Sequence, residues 1–249
     1  MTMKAMIFAA GFGTRLYPLT ATRPKALLEV HGTPLLELII TRLRWYGFRE
    51  LIINVHHFAD QIIQFLEARQ YFGLEIQISR ENDHLLDTGG GLKCAAWFFA
   101  DGAPFLVHNV DILSDLDLRA LYASHLHTKA LATLAVSTRP STRCLLFNQD
   151  SVLCGWQNRQ TQEQKIVRLA DAELLPLAFS GVHVIDPALF AFMPKQEVFS
   201  IIDVYLQAAA THRIIAFPHD HTRWIDVGKK ENLARASEIV QALRQKEGW

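Results

Sequence analysis

The sequence predicts an α/β protein with a mostly parallel central sheet, and three observations carry that prediction. Short apolar runs alternate with segments of helical period from Lys4 to Val107. A glycine-rich loop stands directly behind the first apolar run. Past about residue 130 the rhythm changes to strand-like segments joined by polar turns, which adds a small antiparallel β extension. Strands spaced by helices argue for βαβ units, whose crossover helices cover both faces of a parallel sheet in three layers.

Each element has its own reason. Lys4-Ala5-Met6-Ile7-Phe8-Ala9 is short and apolar, so it reads as a buried first strand. Residues 34–46 set Leu35, Leu38, Ile39 and Leu43 on one helical face, and Pro34 opens that helix. Residues 51–55 form the next strand and 58–71 a second helix. In residues 74–78 apolar and polar side chains alternate, as in a strand with one less buried face. A short helix over 92–99, a buried strand over 104–107 and a helix starting near Leu118, capped by Ser114 or Asp115, follow. Residues 130–136, 144–147 and 151–156 are the strands of the extension, and 213–217 is strand-like. Leu233, Ala236, Val240 and Leu243 recur at helical spacing, so residues 230–243 form a last helix against the core. No linker, repeat or low-complexity tract interrupts the chain, and residues 1–249 are expected to form a single domain.

Composition narrows the function. Half of the 249 residues are hydrophobic and the 25 cationic side chains balance 25 acidic ones, which argues against nucleic-acid or membrane-surface partners. No apolar run reaches membrane-spanning length, and no secretion-type leader opens the chain. Three cysteines without metal-type spacing point to reduced core thiols in a cytoplasm.

The chemistry sits in the loops. After the first strand comes Ala9-Ala10-Gly11-Phe12-Gly13-Thr14-Arg15-Leu16, then Pro18-Leu19-Thr20 and Pro24-Lys25-Ala26-Leu27-Leu28. A strand running into a glycine-rich loop bares backbone N–H groups that cradle anions, and the glycines let a phosphate come close. Arg15 adds a planar cationic fork suited to phosphate oxygens, and Lys25 a second cation. The loop lacks the Gly-Lys-Ser/Thr ending of a Walker loop and the third glycine of a dinucleotide fingerprint. Further on, Leu86-Asp87-Thr88-Gly89-Gly90-Gly91-Leu92-Lys93 opens a helix, and close approach of a flat ligand would account for its three glycines. Asp111 and Asp226 stand at strand ends, where open α/β sheets bind ligands. His56-His57 and His219-Asp220-His221 lack the partners of a zinc site, and no G-x-S-x-G elbow occurs.

This set of motifs resembles the sugar-1-phosphate nucleotidyltransferases, with an almost gapless match from Ala9 to Val30. The resemblance implies that a nucleoside triphosphate (UTP or GTP favoured) reacts with a sugar 1-phosphate to give a nucleotide sugar and pyrophosphate. It implies a Rossmann-like fold and Mg²⁺ on Asp111 and Asp226. Arg15, Lys25 and the two aspartates would be catalytic. Ala10, Gly11, Gly13, Thr14, Glu81, Thr88, Gly89 and Gly90 would hold the nucleotide, and Asn54, Ser180 and Gly181 the acceptor. Short members of the family, such as those transferring uridylyl to N-acetylmuramate 1-phosphate or guanylyl to mannose and heptose phosphates, come closest in length. Two departures stand out. Val110 replaces the usual glycine before the first aspartate, and the Glu-Lys-Pro grip on the sugar phosphate is missing between residues 158 and 177, where Lys165 or Arg168 could substitute. The left-handed β-helix of longer relatives is absent, so no acyltransferase activity is expected. Two alternatives remain at this point: a cytidylyltransferase acting on phosphocholine or a similar phosphate, and a non-catalytic sensor of nucleotide sugars.

Overall fold

A computed structural model describes residues 2–170 and 172–248. In chain order the elements begin with β1 (Met3–Phe8), a two-strand ribbon of β2 (Glu29–Val30) and β3 (Thr33–Pro34), α1 (Leu35–Trp45), β4 (Phe48–Val55), α2 (Ala59–Ala68) and β5 (Glu75–Arg80). Next come α3 (Asp87–Cys94), β6 (Phe105–Asn109), β7 (Ile112–Ser114) and α4 (Leu118–Thr128). The strands β8 (Ala132–Ser137), β9 (Arg143–Phe147), β10 (Leu153–Asn158), β11 (Glu163–Ile166) and β12 (Leu175–Ile185) lead to α5 (Ile201–Ala209), β13 (Ile214–Pro218), β14 (Trp224–Asp226) and α6 (Asn232–Glu247). The mixed α/β class with a mostly parallel central sheet is therefore the one the sequence predicts. The chain divides into two compact units, the first made of the residues up to Leu85, Val107–Leu118 and those from Thr222 on, the second of Leu86–Leu106 and Arg119–His221.

In the first unit β1, β4 and β5 pair in parallel, and one row of the register runs Phe8, Asn54, Ser79. The apolar runs that announce these strands are buried on both faces, since Met6, Ile7, Ile52 and Ile53 have no exposed surface. The carboxyl ends of β1, β4 and β5 consequently share one edge, and every loop there comes from a different strand. The Val110 N–H donates to Phe8 O at 3.1 Å, which sets Asp111 beside the end of β1. Strands β7 and β14 pair antiparallel, with Asp226 opposite Ile112. Arg42 on α1 is buried and paired with Glu247 on α6, its Nε lying 3.2 and 3.4 Å from the two carboxylate oxygens.

The second unit holds the extension. Strands β11, β10, β9 and β12 pair antiparallel in that order, β12 continues against β8, and β13 lies parallel to β8. The register of β12 slips between Phe179 and His183, and Gly181 takes a φ of +74° inside that bulge. Stacked Phe99 and Phe105, with centroids 3.6 Å apart, anchor its core.

Three local expectations change. The helix expected over 92–99 begins at Asp87, passes to a 3-10 turn over Ala96–Phe99, and so takes the glycine triplet inside itself. The second helix stops at Ala68 because Tyr71 and Phe72 adopt left-handed backbone angles. Asp115 is no helix cap: its Oδ1 accepts the Arg223 N–H at 2.7 Å, and Ser114 lies within β7. No helix among the described residues is long and apolar enough to cross a membrane.

Candidate active site

The first unit gathers the predicted phosphate-binding groups. Behind β1, Ala9 and Ala10 are buried and Gly11 is exposed, so the chain surfaces where its amides can meet a ligand. Gly13 adopts φ +65° at the start of the 3-10 turn Thr14–Leu16, a conformation costly for any side chain. Its carbonyl accepts the Thr20 hydroxyl at 3.0 Å, and a Cβ there would lie 3.1 Å from Lys25 Cβ. The loop is therefore folded directly over Lys25.

Lys25 Nζ donates to Asp111 Oδ2, while Arg15 Nη1 faces Asp226 Oδ2 at 3.5 Å. The Asp226 carboxylate is steered by the Gly228 N–H, which donates to Oδ1 at 2.7 Å, and the Val227 N–H donates to Asp111 O at 2.8 Å. One point shows how tightly these groups converge. A Cβ added to Gly228 would stand 2.7 Å from Asp226 Oδ1, 2.8 Å from Arg15 Nη2 and 2.8 Å from Lys25 Nζ. Residues spread over the whole sequence thus meet in one small volume: two cations and two carboxylates. The Lys25 side chain is 11% exposed and that of Arg15 is 58% exposed, so the lysine is held and the arginine can swing. Gly228 lay within the segment that the sequence flagged at Asp226, but the need for a bare Cα was not legible there. No cluster of three or more His, Cys, Asp or Glu side chains able to hold a metal occurs among the described residues.

At the same edge, Asn54 Nδ2 donates to Glu81 Oε1 at 2.8 Å, and both residues are buried. The resemblance divides these two between acceptor and nucleotide; the fold joins them in one hydrogen bond. Glu81 O meets His56 Nδ1 at 2.7 Å, and Phe12 packs on His56 and His57 with centroids 5.5 and 5.4 Å away.

The remaining predicted residues lie in the second unit. Thr88 Oγ1 accepts the Ile201 N–H at 3.0 Å, and so caps α5. The Gly89 and Gly90 N–H groups both donate to Phe199 O, at 2.9 and 3.3 Å. A Cβ on Gly89 would collide with the Phe199 ring, and one on Gly90 with Glu197 O. The close approach that the triplet permits is that of the chain's own 197–199 segment. Ser180 is buried at the β12 bulge with its Oγ 2.7 Å from His219 Nε2, and burial holds that imidazole below its ordinary pKa. A cavity of about 530 Å³ also opens in this unit, lined by Arg143, Trp156, Lys165, Phe179, Ser200 and Asp203 among others.

A strand-end glycine loop, two cations and two carboxylates on a mixed α/β frame make a set chemically suited to phosphoryl groups. Residues 4–150 match the model of the family described as nucleotidyl transferase, and the chain belongs to that family. It is 32% identical over 247 residues to an N-acetylmuramate alpha-1-phosphate uridylyltransferase of Caulobacter vibrioides, covering 96% of this chain and 97% of that one. To the Neisseria meningitidis protein of the same name it is 32% identical over 251 residues, with 97% and 100% covered. Among solved structures, HddC from Yersinia pseudotuberculosis with GMP-PN superposes with a TM-score of 0.75 at 21% identity, over 95% of this chain and 99% of the other. UTP-bound UGPase from Acinetobacter baumannii gives 0.74 at 17% identity, over 98% and 94%. These two share the fold.

Proposed function

We propose that the protein joins UTP to N-acetylmuramate 1-phosphate, forming the uridine diphosphate sugar and releasing pyrophosphate. The full-length likeness to two uridylyltransferases of that name supports the choice of base and sugar. The observation that carries the chemistry is the convergence of Arg15, Lys25 and Asp226 on one point, with Asp111 bonded to Lys25. An oxygen of the sugar phosphate bonds to the α-phosphorus as the bond from that phosphorus to pyrophosphate breaks in line. The attacking oxygen is already anionic, so no general base is required.

Each residue then has a task. The amides of the Gly11–Thr14 turn and the Arg15 guanidinium bind the β and γ phosphates and neutralise the departing pyrophosphate. Lys25, held 11% exposed beside Asp111, turns its ammonium to the α-phosphate. Gly228 keeps the space between these groups open. Catalysis is positioning and fixed charge. Asp111 and Asp226 suit Mg²⁺: they are hard oxygen donors on adjoining strand ends, two in number, leaving other positions for phosphate oxygens and water. When bound, the ion supplies positive charge where negative charge builds on the reacting phosphate. Asn54 and Glu81 act as a pair, each fixing the other at the edge beside the loop. We place the reaction in the cytoplasm, where the three free cysteines stay reduced.

The test is pyrophosphate release from purified protein with Mg²⁺ across the common nucleoside triphosphates and a panel of sugar 1-phosphates. Turnover is expected with UTP and N-acetylmuramate 1-phosphate. Absence of release with every pair would overturn the proposal.

A further inference from the structure

The cavity of the second unit holds two cations that the reaction above leaves unused. Its floor is one face of the antiparallel sheet β9–β10–β11. Arg143 stands opposite Asn158 and Asn158 opposite Glu163; in the next row Leu145 stands opposite Trp156 and Trp156 opposite Lys165. Because side chains alternate across a sheet, these six share a face. Phe179 and, from α5, Asp203 and Leu206 line the same space.

That arrangement has the parts of a sugar pocket. Its volume of about 530 Å³ falls within the usual range for small-molecule sites. Trp156 offers a flat apolar surface, and the Glu163 and Asp203 carboxylates can accept hydroxyl hydrogen bonds. Lys165 lies directly opposite Trp156 on one outer strand and Arg143 one row along on the other, so their Cα atoms stand roughly 12 Å apart across the strand that carries the ring. Neither cation is engaged by an ion pair or a side-chain hydrogen bond with another described residue. Arg168, a further cation on this stretch, is spent elsewhere: its Nε donates to Ala209 O at 2.8 Å and its Nη2 to His212 O at 2.9 Å.

We propose that Arg143 and Lys165 bind an anionic group of the acceptor while Trp156 carries its ring. The inference rests on the function proposed above and names the residues that select its acceptor. The anion is either the 1-phosphate itself or a carboxylate on the ring, as in muramate, and experiment separates the two.

N-acetylmuramate 1-phosphate and N-acetylglucosamine 1-phosphate, which differ by the carboxylate-bearing ether, are titrated calorimetrically into wild type, Arg143→Gln and Lys165→Gln. The same proteins are assayed for the acceptor KM at saturating UTP. Loss of one charge-assisted contact should raise Kd and KM about 10-fold or more. A rise with both acceptors assigns the cations to the phosphate; a rise with the muramate alone assigns them to the carboxylate. Unchanged constants in both variants, or no acceptor binding by wild type, overturn the inference. Because titration needs no turnover, a wild type that binds acceptor but releases no pyrophosphate removes the proposed reaction and leaves the pocket standing.

Discussion

Gly228→Ala adds one methyl group to the charged centre without altering any charge. The glycine lies outside the left-handed region, so alanine fits its backbone. The new Cβ would approach Asp226 Oδ1 to 2.7 Å and Arg15 Nη2 and Lys25 Nζ to 2.8 Å, where ordinary contact begins at 3.4 Å. Each side-chain end must then retreat by roughly 0.6 Å, a displacement of the size that costs an oriented reaction about 10- to 100-fold. The atoms that give way are the ends of flexible side chains, so stability should change by no more than about 1 kcal/mol. The assay is kcat/KM for pyrophosphate release alongside the thermal midpoint. We expect a midpoint within a few degrees of wild type and activity lower by at least about 10-fold. A stable variant with full activity would show that these three groups do not act together on the phosphates.

Three further outcomes follow from the same geometry. Asp111→Asn keeps the shape of the side chain but removes the charge facing Lys25, and should cut kcat about 10²-fold or more with the fold intact, whereas Arg15→Ala should chiefly weaken UTP binding; equal activity in Asp111→Asn and wild type would take Asp111 out of the site. Glu247→Gln strands Arg42, which is 1% exposed, as a buried unpaired charge, at a cost of about 3–5 kcal/mol and roughly 10 °C in the thermal midpoint; an unchanged midpoint refutes this. Burial holds His108 down to about 3 and His125 down to about 4, so the unfolded chain binds these protons first. Their contribution is fully present above about pH 6.5 and declines as pH falls towards 4, His125 alone accounting for roughly 3 kcal/mol; a denaturation midpoint that stays flat from pH 7 to pH 4 contradicts it.

Much of the first unit was legible because its signals are local. Apolar runs bounded by glycine and proline mark β1, β4 and β5, and a parallel sheet carries its ligands beyond the strand ends. Gly11, Gly13, Arg15, Lys25, Asp111 and Asp226 all sit next to such runs, and the fold collects them in the first unit. The packing role of the glycine triplet was not legible because its cause is distant. A bare Cα next to a ligand and a bare Cα next to Phe199 have the same sequence signature.

The sequence by itself determined the α/β class, the order of the longer strands and helices (the short strands β2, β3, β7, β11 and β14 excepted), and which loops carry charge, since period, turn chemistry and residue type act over a few positions. Tertiary structure alone decided the pairings: Asn54 with Glu81, Asp115 with Arg223, Thr88 with the first turn of α5, and the empty space beside Gly228. It also decided that Arg143 and Lys165 share a cavity while Arg168 does not line it. Hydrogen bonds and contacts of this kind join residues tens to more than a hundred positions apart, and their energy depends on the register and packing of whole strands, which no local window of sequence contains.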